Sequence, residues 1–201
     1  MTLYNVLSED DVYRAVDVLV RAFYDYPIHS CLFPNDREEK LKHLFNFAVK
    51  MYVRYGQVLA SSINLEAVAL WHDSNQEIGL LQQIRSGGVS LLKHLGIKSL
   101  KKLTTFENFS VNLHKKHINS HHNHAVLIGV DPKHQGRGFG SKLMRSKFKE
   151  NLPIYLDTHT QEDVAIWQHL GFEIIDKVLV PNTDIYHWCM VWYPHKNFED
   201  K

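Results

Sequence analysis

Cysteine is scarce: Cys31 and Cys189 are the two in 201 residues, and neither has a Cys-x-x-Cys neighbour. A disulfide framework, a thiolate zinc site and a dithiol redox centre are not expected, and both thiols read as buried. Long apolar runs are missing as well. No segment approaches the roughly 18 apolar residues of a membrane span, and residues 1–11 lack a basic stretch leading into an apolar one, so a cytoplasmic protein without membrane attachment is expected. Charge of either sign is nearly balanced, 23 Lys and Arg against 22 Asp and Glu with a formal net charge of +1, which argues against a nucleic-acid partner. Locally, Lys93, Lys98, Lys101, Lys102, Lys115 and Lys116 crowd one region and read as the solvated face of helices, the alternative being a surface for an acidic partner or an outer phosphate of a cofactor. Repeats and low-complexity tracts are absent. With 44% hydrophobic and 22% charged residues, the composition suits one domain over residues 1–201, as monomer or homodimer.

The periodicity then orders the chain. Residues Leu3 to Leu7 predict a short strand, and Ser8 followed by Glu9, Asp10 and Asp11 predicts a helix start. Val12, Ala15, Val16, Leu19, Val20 and Phe23 recur at helical spacing until Pro27, which is expected to stop the helix. A second helix is predicted from Asp36 to Tyr55, with Leu41, Leu44, Phe45, Ala48, Met51, Tyr52 and Tyr55 inward and Gly56 as its exit. Strands at Gln57 to Ser61 and Leu65 to Trp71 predict a hairpin. From Asn75 to about Asn119 the chain reads as a helical insertion broken at Gly87-Gly88 and Gly96. It either caps a substrate cleft or shields one sheet face. Further strands are predicted at Ala125 to Val130, Pro153 to Asp157, Glu173 to Val180 and Tyr186 to Tyr193, with His195 to Lys201 as a polar tail. The fold class is α/β, a mixed sheet of six or seven strands flanked by helices.

The most informative stretch is Ala125 to Met144, AVLIGVDPKHQGRGFGSKLM. An apolar strand ends at Asp131-Pro132, and Gly136, Gly138 and Gly140 leave the backbone bare before a helix predicted from Ser141 to Glu150. Amides at a helix start attract an anion such as a pyrophosphate. A Walker loop needs Lys-Ser/Thr after its last glycine, whereas Gly140 is followed by Ser141-Lys142. A dinucleotide fingerprint needs Gly-x-Gly-x-x-Gly, and Gly136-Arg137-Gly138-Phe139-Gly140 is one residue short. Gln135-Gly136-Arg137-Gly138-Phe139-Gly140 does match Gln/Arg-x-x-Gly-x-Gly/Ala, the pyrophosphate loop of the GNAT superfamily of N-acetyltransferases. Leu156-Asp157-Thr158 and Asp163 to Phe172 resemble the next strand and helix of that superfamily. Ala67 to Trp71 and Phe23 to Pro34 resemble the branch that includes puromycin N-acetyltransferase.

The resemblance implies a single-domain GNAT-like fold with the helical insertion before the cofactor-binding strand. It implies transfer of an acetyl group from acetyl-CoA to a primary amine of a small molecule by direct attack, with no metal. The co-substrate is expected on Ile128, Gly129 and Val130, where Gly129 suits a splay or bulge, on Gln135, Gly136, Arg137, Gly138, Phe139, Gly140 and Ser141, and on Asp163 and Trp167. A backbone amide near Val130 would polarise the thioester carbonyl. Asp157 stands where the puromycin-type branch has a carboxylate and is the candidate base or acceptor anchor. Trp167 replaces the usual acid tyrosine, and an indole N–H does not give up a proton at neutral pH. Three outcomes stay open: the thiolate leaves unaided or through water, another residue protonates it, or the chain is a non-catalytic acyl-CoA-binding sensor. His117, His121, His122 and His124 form a short tract that reads as a solvated loop, or as a loop with His122 or His124 facing the cleft, rather than as a metal site. Tyr24, Asp25 and Trp71 are further candidates for the acceptor side.

Overall fold

A computed structural model describes residues 3–6 and 8–194; Leu7 and the expected polar tail from His195 to Lys201 lie outside the described residues. The first strand is β1 (Tyr4–Asn5), shorter than expected. Helix α1 (Glu9–Phe23) begins as its sequence requires, with the Ser8 side chain accepting from the Asp11 amide and three acidic residues in the first turn. Pro27 does not stop this helix. It opens a further one, α2 (Pro27–Leu32), at the first-turn position where a missing N–H costs nothing. Helix α3 (Arg37–Tyr55) buries Leu41, Phe45 and Val49.

Strands β2 (Gln57–Ala60) and β3 (Ala67–Asp73) form the hairpin. β3 starts two residues later than expected because Leu65 takes a left-handed conformation, φ 56°. The turn before it is organised instead by the Ser61 and Ser62 hydroxyls donating to the Glu66 carboxylate at 2.6 and 2.7 Å. Helices α4 (Leu80–Arg85) and α5 (Gly88–His117) make up the insertion. α5 kinks at Gly96, where φ 71° and ψ 158° leave the helical region, and Gly87 before it has φ 102°.

The chain then returns to the sheet as β4 (Asn123–Val130), passes a short 3-10 turn at Pro132–His134, and continues through α6 (Phe139–Phe148), β5 (Ile154–Thr158), α7 (Gln161–His169), β6 (Glu173–Leu179) and β7 (Tyr186–Trp192). The seven strands lie in the order β1-β2-β3-β4-β5-β7-β6, with β4 and β5 parallel and the other neighbours antiparallel. One apolar cluster fills the face under α1, α3 and α5; a second packs α6 and α7 on the other. Among the described residues no helix is long and apolar enough to cross a membrane.

Candidate active site

The two parallel strands separate. β4 and β5 pair only at Asn123–Ile154 and His124–Tyr155, after which they diverge and open a wedge in the middle of the sheet. β4 is a central strand, yet Val126, Leu127, Ile128 and Val130 stay only half-buried. A central strand that is not fully covered marks a groove. The Asp131 amide donates to the Glu66 carbonyl across β3 at 2.9 Å, so by the alternation of an antiparallel strand the amides of Val130 and Ile128 point the other way, into the wedge.

Gly129 lies on the stretch of β4 that splays from β5, but it is not the site of a bulge. The register irregularity of β4 lies opposite Leu70 and Trp71, not at Gly129. A Cβ at Gly129 would meet Leu19 Cδ2 at 2.8 Å, Phe23 at 3.1 Å and Ala22 at 3.2 Å, so its missing side chain lets α1 press directly on the strand. A salt bridge fixes the same approach, with Arg21 donating through Nε and Nη2 to Asp131 Oδ2 at 2.9 and 2.7 Å.

At the C-terminal end of β4 the glycine-rich turn is exposed from Gln135 to Gly138. Gly136 and Gly138 have φ 74° and 77°, and Gly138 begins α6 without a side-chain cap. The first-turn amides of Phe139, Gly140 and Ser141 are therefore free of helical acceptors and carry the positive end of the helix dipole. Gly140 lies closest to the wedge, with Val130 Cγ2 3.4 Å and Ile128 Cγ2 3.8 Å from the position of a Cβ. Arg137 is exposed beside the turn. This cradle fits a pyrophosphate.

The other side of the wedge is roofed by α5. Ser110 donates to Asp157 Oδ2 at 3.2 Å, and the rings of Phe106 and Phe109 pack on His159 and His187. α5 packs over β5 and β7 and contributes Leu91, Leu95 and Leu103 to the core on that face of the sheet. Burial raises the proton affinity of the Asp157 carboxyl, partly offset by His187 and the Ser110 hydrogen bond. Glu107, also on α5, is exposed along its stem while protein crowds its carboxyl. Desolvation, and then the charge of Asp157, push Glu107 up to about 7. Both carboxyl groups are thus raised above the ordinary carboxylate range, Glu107 the one held near neutrality. Glu107 and Ser110 escaped the sequence reading, although they sit three residues apart on α5, the spacing that puts two side chains on one helix face.

Tyr26 also escaped it. Its hydroxyl lies 2.8 Å from Thr158 Oγ1, donates to Asp163 Oδ2 at 3.0 Å, and accepts from the His159 amide at 2.9 Å. Asp163, expected on the cofactor, is engaged instead by Tyr26 and by Thr158, whose hydroxyl donates to the same oxygen at 2.9 Å. Of the expected acceptor contacts, Tyr24 is exposed under the Arg37 guanidinium, and Asp25 turns outward with its nearest partner, Arg37, at 3.5 Å. Trp71 is buried in the opposite core with the Lys147 ammonium over its ring. Core packing takes Trp71, while Tyr24 and Asp25 face solvent. His124 does line the groove side, its ring 4.5 Å from that of His114 and 5.3 Å from Tyr155. His122 donates from Nδ1 to the Ser120 carbonyl and so accepts at Nε2 from His114 Nε2, 2.7 Å away. That bond fastens the end of α5 to the start of β4. Trp167 packs against Phe172 beside the second core.

Residues 88–174 match the family model described as Acetyltransferase (GNAT) domain. An uncharacterized N-acetyltransferase of Schizosaccharomyces pombe is 28% identical over 177 residues, 81% of this chain and 70% of its own length. A crystal structure from Corynebacterium glutamicum, of histone acetyltransferase HPA2 and related acetyltransferase, superposes with a TM-score of 0.68 at 20% identity, covering 96% of each chain. The polyamine N-acetyltransferase of Drosophila melanogaster, which catalyses the formation of N-acetylagmatine, superposes with a TM-score of 0.56 at 13% identity, covering 96% of this chain and 100% of its own. These matches support a GNAT acetyltransferase domain, and the mixed seven-stranded sheet is GNAT-like.

Proposed function

We propose that the protein is an acetyl-CoA-dependent N-acetyltransferase acting on the primary amine of a small molecule by direct attack. The observation that carries this reading is one groove with a bare helix start at its open end and the Asp157 carboxyl beneath α5, with the Glu107 carboxyl on α5 itself. Acetyl-CoA, when bound, supplies an acetyl thioester whose C–S bond breaks as the amine nitrogen forms the new N–C bond. The Gln135 to Ser141 turn fits its pyrophosphate, and the amides of Ile128 and Val130 offer donors along the wedge. The Val130 amide is the candidate oxyanion donor.

The chain's own groups handle the amine. A protonated amine is drawn toward two carboxylates and must lose a proton before it becomes a nucleophile. A carboxyl near pH 7 is matched to accept that proton. Glu107 is at the solvent-touched side of the cleft and takes the proton; Asp157 holds the nitrogen in place. His124 borders the same path. Trp167 brings no acid, so the departing thiolate leaves unaided or through water. The amine chemistry of the Drosophila enzyme, on a similar fold, agrees with this class of acceptor. The reading includes a cytoplasmic monomer or homodimer and a kinship with the puromycin-type branch that rests on Asp157.

A panel of small amines assayed for CoA release tests it. Turnover is expected with cationic primary amines and is expected to collapse in Asp157→Asn with acetyl-CoA affinity retained. Acetyl-CoA binding without turnover on any amine would favour the sensor role instead.

A further inference from the structure

Asp157, His159 and His187 are, among the described residues, the one group of three metal-type ligands whose donor atoms all lie within 4.8 Å of one another. They come from adjacent, rigidly held backbone. Asp157 and Thr158 are paired in register with Cys189 and Trp188 across β5 and β7, so His159 at the end of one strand and His187 at the start of the other meet on one side of the sheet. His159 and His187 are 8% and 0% exposed. Nε2 of His159 lies 3.0 Å from Nδ1 of His187. On the far side of the same ring, Nε2 of His187 is buried without a hydrogen-bond partner and stands 3.9 Å from Asp157 Oδ2. That gap is too long for a hydrogen bond. A buried imidazole nitrogen left open toward a carboxylate is an incomplete arrangement, because burial without a partner is costly.

We propose that Asp157, His159 and His187 bind a divalent transition-metal ion such as Zn²⁺, each residue offering one donor atom. The three donor atoms lie within 4.8 Å of one another, against roughly 3.4 Å between donors held about 2.1 Å from zinc in a tetrahedron, so the His159–His187 hydrogen bond gives way as the rings turn toward the ion. Two neutral imidazoles with one carboxylate are a donor set suited to zinc, iron and cobalt rather than to magnesium or calcium. Three protein ligands leave a fourth position facing α5, where Ser110 reaches Asp157. The ion neutralises the carboxylate that otherwise awaits the amine, so it inhibits rather than assists acetyl transfer. This consequence rests on the proposed role of Asp157; binding of the ion does not.

Cobalt(II), titrated into chelator-treated full-length protein, is the probe, because its visible absorption reports the ligand set without any turnover. One equivalent is expected to give intense tetrahedral or five-coordinate bands. His187→Ala and His159→Gln, each checked for folding by circular dichroism, are expected to weaken binding by 100-fold or more. His121→Asn, on the exposed loop where His121 pairs with Asp73 at 2.8 Å, is expected to leave binding unchanged. Absence of binding in the unmodified protein, or an isotherm that neither folded variant alters, overturns the site. In the amine assay Zn²⁺ is expected to compete with the amine and not with acetyl-CoA. If cobalt binds through these residues while no amine turns over, the metal site stands and the acetyltransferase reading fails; turnover without cobalt binding gives the opposite result.

Discussion

The phenol of Tyr26 donates to Asp163 Oδ2 at 3.0 Å, tying the turn after α1 to the first turn of α7 across the end of β5. Two further bonds converge there, from the Thr158 hydroxyl to the same Asp163 oxygen and from the His159 amide to the Tyr26 oxygen, with the Tyr26 and Thr158 oxygens 2.8 Å apart. Tyr26→Phe therefore removes one hydroxyl and leaves a buried amide and part of a carboxylate without partners. The expected cost is about 1–3 kcal/mol, measured by urea unfolding. Because this network also sets where His159 begins, cobalt binding is expected to weaken in the same variant.

Gly138→Val is expected to lower acetyl-CoA affinity at least tenfold. The residue has φ 77° with open space around the missing side chain, so the penalty comes from a left-handed backbone that a β-branched residue resists, and with it from displaced amides. Gly140→Ala is the control. Its added methyl meets Val130 Cγ2 at 3.4 Å, an ordinary contact, and Gly140 has no positive φ, so affinity is expected to fall only mildly. Calorimetry with acetyl-CoA on both folded variants checks the pair.

The contrast between these glycines and the acceptor side shows what was legible in the sequence. Gly136 and Gly138 are read from a local motif, because a turn and the helix it opens lie within a few residues of each other. The strands and helices follow from periodicity for the same reason, and the order of events along the chain was recovered. Glu107 and Asp157 are 50 positions apart in the sequence, and only the kink at Gly96 and the pairing of β5 with β7 decide that α5 passes over both Asp157 and His187. No local pattern carries that information. Tyr24 and Asp25 are two and one positions away from Tyr26, the residue that reaches inward, since the turn after α1 fixes which of three adjacent side chains points to the sheet. Trp71 fell on the wrong face for the related reason that β3 is buried on both sides.

Acid is expected to destabilise the fold from about pH 6.5 downward, well before the carboxylates protonate. Burial lowers His29 to about 4, and His114 to about 4 with help from the charges of His122 and His72. The unfolded chain takes up these protons near 6.5 and the native state only near 4, so stability is lost as pH falls through that window and the loss is complete below it. For His29, 8% exposed, the full effect is about 3 kcal/mol. Thermal midpoints measured from pH 7.5 to 4 are expected to slope less steeply in His29→Phe.

Trp167→Phe is expected to keep the chemical step within about threefold of the parent, since an indole N–H is not a proton donor to sulfur at neutral pH. The ring packs on Phe172 at 6.2 Å, and phenylalanine retains most of that contact. Single-turnover rates with saturating amine read the step directly. A loss of 100-fold with intact folding and acetyl-CoA binding would make the indole essential.

The pH-rate profile divides the labour between the two carboxyl groups. Glu107 lies near 7 because of desolvation and the charge of Asp157, so kcat/KM is expected to rise with pH through about 7 as Glu107 ionises and becomes able to accept the amine's proton. Glu107→Gln removes that limb: the rate falls, and what remains rises only at the higher pH where the free amine itself loses its proton. Asp157→Asn acts differently. It removes the charge that raises Glu107, so the limb moves to lower pH while the amine KM rises, with an overall loss of roughly 10- to 1000-fold in kcat/KM. A shift of the limb in Asp157→Asn together with its disappearance in Glu107→Gln identifies Glu107 as the base. An unshifted limb in both variants would remove the pair from the proton transfer.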